Sequence, residues 1–137
     1  MTPEERIALA EAMVAALNAR DLKRYFALTH PEFEIHTDPS WPGGEVTVHR
    51  DAIRRFYERL FDDWDELRYE RVSDPVAVGE RVLARDRWVG LREGAEPNTL
   101  GLYYAVTSFQ GQRAARIDTF THRDEALKFA RSDRPKP

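Results

Sequence analysis

The spacing of apolar residues predicts that helices come first in this chain. Over residues 7–17 apolar side chains recur every three or four positions, which places them on one face of a helix. Thr2 and Glu5 have the spacing of a capping box, which would begin that helix. Asp21 can cap a second, short helix. The broad apolar face of residues 51–64 predicts a third helix that packs against a large surface.

From about residue 66 onward the hydrophobic period changes to two, which is typical of strands. The strands predicted in this part cover about 66–78, 81–93, 99–109 and 113–121. One more strand is predicted earlier in the chain, over about 32–38, before the third helix. Glycine-containing breaks between the later strands indicate hairpin connections, so the sheet should be largely antiparallel. Thr121 can cap a last short helix. Helices followed by a meander of strands predict an α+β fold, with helices on one face of a curved sheet.

Composition and charge narrow the class of protein. The chain has 137 residues, no cysteine and a net charge of −3. This length predicts one domain over residues 1–131, with a frayed tail at 132–137. No basic cluster indicates a nucleic-acid partner, and no apolar run has the length of a membrane span. With no signal-like apolar run near the N-terminus, we expect a cytoplasmic protein.

Three motifs carry a family resemblance over about residues 5–130. They are "LNARDLKRYFAL" before a Phe-Glu strand, "DPSWPGGEV" before "RDAIRRFYERLFDDW", and "RIDTFTHRDEAL". In this order they resemble the SnoaL-like group of the nuclear-transport-factor-2-like (NTF2-like) superfamily, which includes ketosteroid isomerases and polyketide cyclases. The resemblance implies a cone in which a curved sheet wraps a long helix around a deep, mostly apolar, open cavity. It also implies a homodimer through the outer face of the sheet, and no cofactor.

The resemblance further implies which strand residues face the cavity. They are Ala114, Arg116, Asp118 and Phe120 on the last strand, Tyr103, Ala105, Thr107 and Phe109 on the strand before it, and Val82, Ala84, Asp86 and Trp88 on the strand before that. Tyr57 matches a cavity tyrosine on the long helix. Asp38 lies where ketosteroid isomerases carry their catalytic base.

Asp118 and Arg116 are the first candidates for catalysis. A carboxylate in a dry cavity has a raised pKa and can accept and return protons near neutrality, while an arginine can orient a substrate carbonyl. The alternative is a structural ion pair on a sheet face. Asp86 is either a second cavity carboxylate or the partner of an arginine on an adjacent strand, such as Arg116.

Asp38 and His36 are the second pair of candidates. Asp38 is interpreted as a proton-transfer base with His36 as its partner, or as a residue that caps the turn before Pro39. The sequence has one residue more here than the usual pattern, so it leaves open which of the two faces the cavity. The spacing of the four histidines matches no metal-site motif, and no metal is predicted.

Five aromatic residues favour a cavity for a flat apolar ligand, although ordinary core packing is the alternative for most of them. They are Trp41, Tyr57, Trp88, Tyr103 and Phe120. Trp41, in a loop rich in proline and glycine, is a candidate lid over the cavity.

The leading functional hypothesis is a cofactor-independent isomerase or cyclase that moves a proton next to a carbonyl group of a small apolar molecule. Met13 and Ala105 stand where ketosteroid isomerases carry their two oxyanion donors. Because such donors contribute orders of magnitude in rate, steroid isomerisation by that mechanism is not expected. The alternative hypothesis is a non-catalytic domain that binds a ligand or another protein.

Overall fold

A computed structural model describes residues 1–38 and 47–132. The helices are α1 (Pro3–Asn18), α2 (Leu22–Ala27), α3 (Arg50–Asp63) and α4 (Arg123–Arg131). The strands are β1 (Thr29–His36), β2 (Thr47–His49), β3 (Glu66–Arg71), β4 (Val76–Val78), β5 (Arg81–Leu91), β6 (Asn98–Gln110) and β7 (Arg113–Phe120). Within the described ranges, no helix combines the length and the apolar character needed to cross a membrane.

The strands form one curved, unclosed sheet in the order β2-β1-β7-β6-β5-β3, with β4 beside β5. All pairs are antiparallel except β1 with β7, so the predicted α+β class and the largely antiparallel sheet are confirmed. The single strand predicted over 66–78 is wrong, because β3 ends at Arg71 and β4 begins at Val76. The last helix has His122, rather than Thr121, as its N-cap.

The two faces of the sheet pack against different helices. We call the face that packs against α1, α2 and α3 the inner face, and its core includes Met13, Tyr57 and Trp88. The opposite, outer face packs against α4 through a smaller cluster that includes Val106 and Phe129. Capping side chains stabilise the N-terminal ends of the first two helices. Thr2 and Glu5 form the predicted capping box of α1, and Asp21 caps α2.

Gly90 lies where β5 passes under the Trp64 ring. A Cβ atom at this position would stand 2.5 Å from two carbons of that ring. The Arg92 guanidinium covers the ring, at 3.9 Å from its centroid, so the indole has little room to move away.

We expect Gly90→Ala to lower the free energy of unfolding by about 1–3 kcal/mol, because the added methyl group overpacks this contact. Urea denaturation measures the loss. In a Trp64→Ala background the same glycine substitution should cost almost nothing. An equal cost in both backgrounds would show that the contact with Trp64 is not its cause.

Candidate functional site

A small pocket lies between α1 and the inner face of the sheet. Its lining residues are Ala10, Met13, Val14 and Leu17 from α1, Tyr25 and Tyr57 from α2 and α3, and Tyr69, Arg71, Asp86, Ala105, Thr107 and Ile117 from the sheet. The centres of water-sized molecules can occupy about 30 Å³ of it, which is room for about two waters. In the part of the chain that the structure describes, the pocket is far smaller than the deep cavity expected from the sequence.

Asp86 is the fully buried carboxylate of this pocket. One terminal nitrogen of Arg71 donates to both of its oxygens, at 2.8 and 2.7 Å. The Tyr69 hydroxyl donates to Oδ2 of the same carboxylate and accepts a long hydrogen bond of 3.4 Å from the Tyr103 hydroxyl. A buried carboxylate requires such donors, because water cannot solvate it.

Strand register and α1 together assemble this cluster. Tyr69 and Arg71 are two positions apart on β3, so both point to the inner face. Arg71 lies directly opposite Asp86 on β5. From α1, the Asn18 side chain makes two hydrogen bonds to the main chain of Tyr69, at 2.9 and 2.7 Å. Also from α1, Glu11 accepts a hydrogen bond of 2.9 Å from Nε of Arg71. The helix therefore contacts both partners of the buried carboxylate.

Burial dominates the electrostatics of the site. It raises the pKa of Asp86 above its ordinary value, while the Arg71 guanidinium and the hydrogen bond from Tyr69 oppose the rise. Burial and the neighbouring Asp86 charge raise the pKa of Tyr69 well above its usual range, so its hydroxyl stays protonated and remains a donor. The carboxyl group therefore titrates nearer to neutrality than an exposed aspartate does.

A tyrosine pair forms a second polar feature of the pocket wall. The hydroxyl groups of Tyr25 and Tyr57 lie 3.2 Å apart and share a hydrogen bond. Burial raises the pKa of both residues, so both hydroxyl groups keep their protons. Because one hydrogen suffices for their mutual bond, the other can be donated to an oxygen in the pocket.

The expected orientation of the last strand is wrong. Thr107 of β6 and its cross-strand neighbour Ile117 of β7 both line the pocket. Since residues alternate along a strand, Arg116 and Asp118 point to the outer face. Phe120 belongs to the outer cluster and packs against Phe129 of α4, at 5.5 Å between ring centroids.

A β-bulge at Ala115 is the reason for this error. Arg116 pairs with Ser108 and Ala114 pairs with Phe109, so β7 carries one extra residue between them. Ala114 does face the inner core as expected. Counting in steps of two from Ala114 crosses the bulge, and every later residue is then assigned to the opposite face.

Arg116 and Asp118 form the structural ion pair that was the alternative interpretation. Two guanidinium nitrogens of Arg116 donate to the two oxygens of Asp118, both at 2.7 Å. His36 also lies on the outer face, because its neighbour Ile35 enters the inner core. Its Nε2 is 2.8 Å from Glu34, and this hydrogen bond lowers the pKa of Glu34. These groups lie across the sheet from the pocket.

Asp38 is buried just after β1, although it does not line the pocket. Its main-chain N–H donates to the Thr119 hydroxyl at 2.9 Å, and its carboxylate accepts from Thr121 at 3.0 Å. A role for Asp38 as a base stays a prediction. Trp41, the candidate lid, lies outside the described residues.

The remaining predicted residues do lie on the inner side. Tyr57 and Asp86 line the pocket, and Trp88 and Tyr103 pack in the core behind it. Asp86 pairs with an arginine of an adjacent strand, as the alternative interpretation held, but the partner is Arg71 rather than Arg116.

Sequence reasoning missed two residues of the cluster, Tyr69 and Arg71. The signal was present in "ELRYER", where both residues follow the buried Leu67 in steps of two and so share its face of the strand. To place Arg71 beside Asp86 from this signal, the register between β3 and β5 would have to be known.

Comparison with known proteins identifies the family. The SnoaL-like domain matches residues 10–128. The chain belongs to the SnoaL-like domain family. A comparison with curated proteins finds no match to this SnoaL-like chain.

Solved structures agree with the fold of this SnoaL-like protein. An NTF2-like protein from Burkholderia pseudomallei is 16% identical with a TM-score of 0.68, covering 96% of this chain and 100% of its own. AclR from Streptomyces galilaeus, a candidate hydroxylase, is 19% identical with a TM-score of 0.68 and coverages of 98% and 91%. A candidate polyketide cyclase from Sinorhizobium meliloti is 14% identical with a TM-score of 0.64 and coverages of 88% and 100%.

We expect Arg71→Met to lower the free energy of unfolding by about 3 kcal/mol or more at neutral pH, because it leaves a buried carboxylate without its counter-charge. The loss should be absent below the ordinary aspartate pKa of 3.8 and should appear as the pH rises through the raised pKa of folded Asp86. Denaturant unfolding at several pH values measures it.

Arg87→Met is the matched control for this experiment. Arg87 pairs with Glu70 at 2.8 Å in a half-exposed position, so its loss should cost less than about 1 kcal/mol. Equal losses for the two variants, or a loss for Arg71→Met that does not change with pH, would contradict the proposed importance of the buried pair.

Proposed function

We propose that this SnoaL-like protein binds a small, mostly apolar molecule with a carbonyl group between α1 and the inner face of the sheet. The observation that carries this proposal is Asp86, a fully buried carboxylate in the wall of a pocket whose α1 side is entirely apolar. The apolar side chains would bind the body of the ligand, and the few polar groups would orient it.

The reaction that this arrangement supports best is proton transfer next to the carbonyl, without a cofactor. Ionised Asp86 would take a proton from the carbon beside the carbonyl, and the electron pair of that C–H bond would move to the carbonyl oxygen. Where a C=C bond adjoins that carbon, the resulting dienolate would take the proton back from Asp86 at the far end of that C=C bond, which is an isomerisation. If the enolate carbon instead attacked a second carbonyl of the same molecule, the new alkoxide would take the proton and a ring would close.

Two groups of the pocket wall would stabilise the enolate charge. Tyr57 offers a hydroxyl donor and Arg71 offers a positive charge, and both line the pocket with Asp86. Arg71, rather than Arg116, is then the arginine that would contact the substrate carbonyl.

Non-catalytic ligand binding is the second candidate function. Both oxygens of Asp86 already accept hydrogen bonds from Arg71, and one also accepts from Tyr69. A carboxylate held by three hydrogen bonds is a weaker base than one that faces the pocket alone. This observation favours a domain that recognises a carbonyl compound without converting it.

Hydrogen–deuterium exchange at carbon tests the reaction. A panel of small aliphatic and aromatic ketones is incubated with the protein in D₂O, and proton NMR follows the hydrogens beside the carbonyl. We expect the wild type to accelerate exchange for at least one ketone. Asp86→Asn should lower that acceleration about 100-fold, because it removes the base.

Asp118→Asn is the matched control, since it makes the same change to a buried carboxylate on the outer face. It should retain exchange, provided that circular dichroism shows both variants folded. Loss of exchange in Asp118→Asn alone would overturn the assignment to Asp86. Quenching of tryptophan fluorescence by a ketone that undergoes no exchange would instead identify a binding domain.

We also propose the homodimer through the outer face of the sheet. Leu102, on the outer side of β6, is 41% exposed and would be covered in such a dimer. Sedimentation analysis should therefore find a dimer for the wild type and a weaker one for Leu102→Glu. A wild-type monomer would contradict this part of the proposal.

A further inference from the structure

The pocket is too small for the ligand that the proposed function requires. Its free volume is about 30 Å³, whereas an apolar cavity that holds benzene measures about 150 Å³. Part of the wall must therefore move when a ligand enters. This inference rests on the proposed function, because a pocket that takes no ligand has no need to open.

The central strands on the sheet side of the pocket are harder to move than α1. Asp86, Ala105 and Ile117 lie on β5, β6 and β7, and each of these strands is hydrogen-bonded to neighbours on both sides. Displacing one of them would break two ladders of main-chain hydrogen bonds. The α1 side reaches the pocket through apolar side chains such as Met13 and Leu17, which can separate without breaking such bonds.

The polar contacts of α1 differ between its end and its middle. At the C-terminal end, Asn18 makes two hydrogen bonds to the main chain of Tyr69, and Arg20 donates to the main chain of Phe61 at 3.2 Å. In the middle, Glu11 pairs with Arg71 at 2.9 Å, and the same guanidinium donates a long hydrogen bond of 3.4 Å to the main-chain oxygen of Ala10. The Glu11 side chain is 47% exposed, so water screens this pair and it breaks easily.

We propose that α1 opens as a cover about its Asn18 end, and that the Glu11–Arg71 ion pair is the latch of this cover. The latch is connected to the candidate site, because the guanidinium that holds Glu11 through Nε also holds Asp86 through a terminal nitrogen. When Glu11 leaves, the Nε–H of Arg71 becomes a donor for a ligand oxygen. A ligand that takes this donor stabilises the open state, and this differential contact shifts the population.

Thiol labelling measures the opening directly, because the chain has no cysteine of its own. Met13 is 4% exposed on the pocket side of α1, and the pocket is too small to admit iodoacetamide. The thiol of Met13→Cys therefore reacts only when α1 lifts. Val106→Cys, on a buried position of β6, is the reference for opening elsewhere in the domain.

Adding Glu11→Gln should accelerate labelling of Met13→Cys roughly threefold, as expected for the loss of a partly exposed ion pair. It should leave the labelling rate of Val106→Cys unchanged. Glu4→Gln, which removes the same charge from an exposed position of the same helix, should change neither rate. Neutral iodoacetamide keeps the reagent insensitive to these charges. Acceleration at both thiols, or at neither, would overturn the latch.

Hydrogen–deuterium exchange of main-chain amides gives a second measurement that needs no cysteine. Glu11→Gln should raise exchange over residues 6–14 of α1 by a similar factor and leave β6 unchanged, and the absence of this difference would also overturn the proposal. Neither measurement uses a ligand. A failed latch therefore leaves the ketone experiment intact, and a failed ketone experiment does not alter the measured opening of α1.

Discussion

The contact between Asp86 and Arg71 is the constraint on which the inner side of this protein depends. The carboxylate has no access to water, and the guanidinium supplies the charge that compensates it. Their strands are joined in a register that places the two residues face to face. The same guanidinium contacts Glu11, so the position of α1 over the sheet is linked to the pair. The Arg71 side chain thus links the register of β3 and β5, the position of α1 and the polar groups of the pocket.

A buried ion pair adds little net stability, because removing two charges from water costs about as much as their attraction returns. Replacing both members of such a pair by apolar residues of similar volume is often neutral for stability, whereas removing one member is costly. Stability alone therefore does not explain the pair, and its place in the wall of a pocket supports the proposed ligand site. Met13 and Ala105, in the same wall, present apolar surface to the pocket beside the pair.

Hydrophobic period and capping signals were enough to predict the helices and the largely antiparallel sheet, and the family resemblance implied the inward direction of Tyr57 and Asp86. The orientation of β7 was not predictable by counting, because the bulge at Ala115 adds a residue without any change in the pattern of the sequence. Arg71 was missed for a related reason. Its meeting with Asp86 depends on the register of two strands that are not consecutive in the chain, and local periodicity carries no register.

We place the proposed chemistry on the inner face beside Asp86, and not on the outer face beside Asp118. A crystal structure with a ketone that the protein binds tests this most directly. We expect ligand density between α1 and β5, with the carbonyl oxygen within hydrogen-bond distance of Arg71 or Tyr57. Density on the outer face against Arg116, with the inner pocket unchanged, would contradict it.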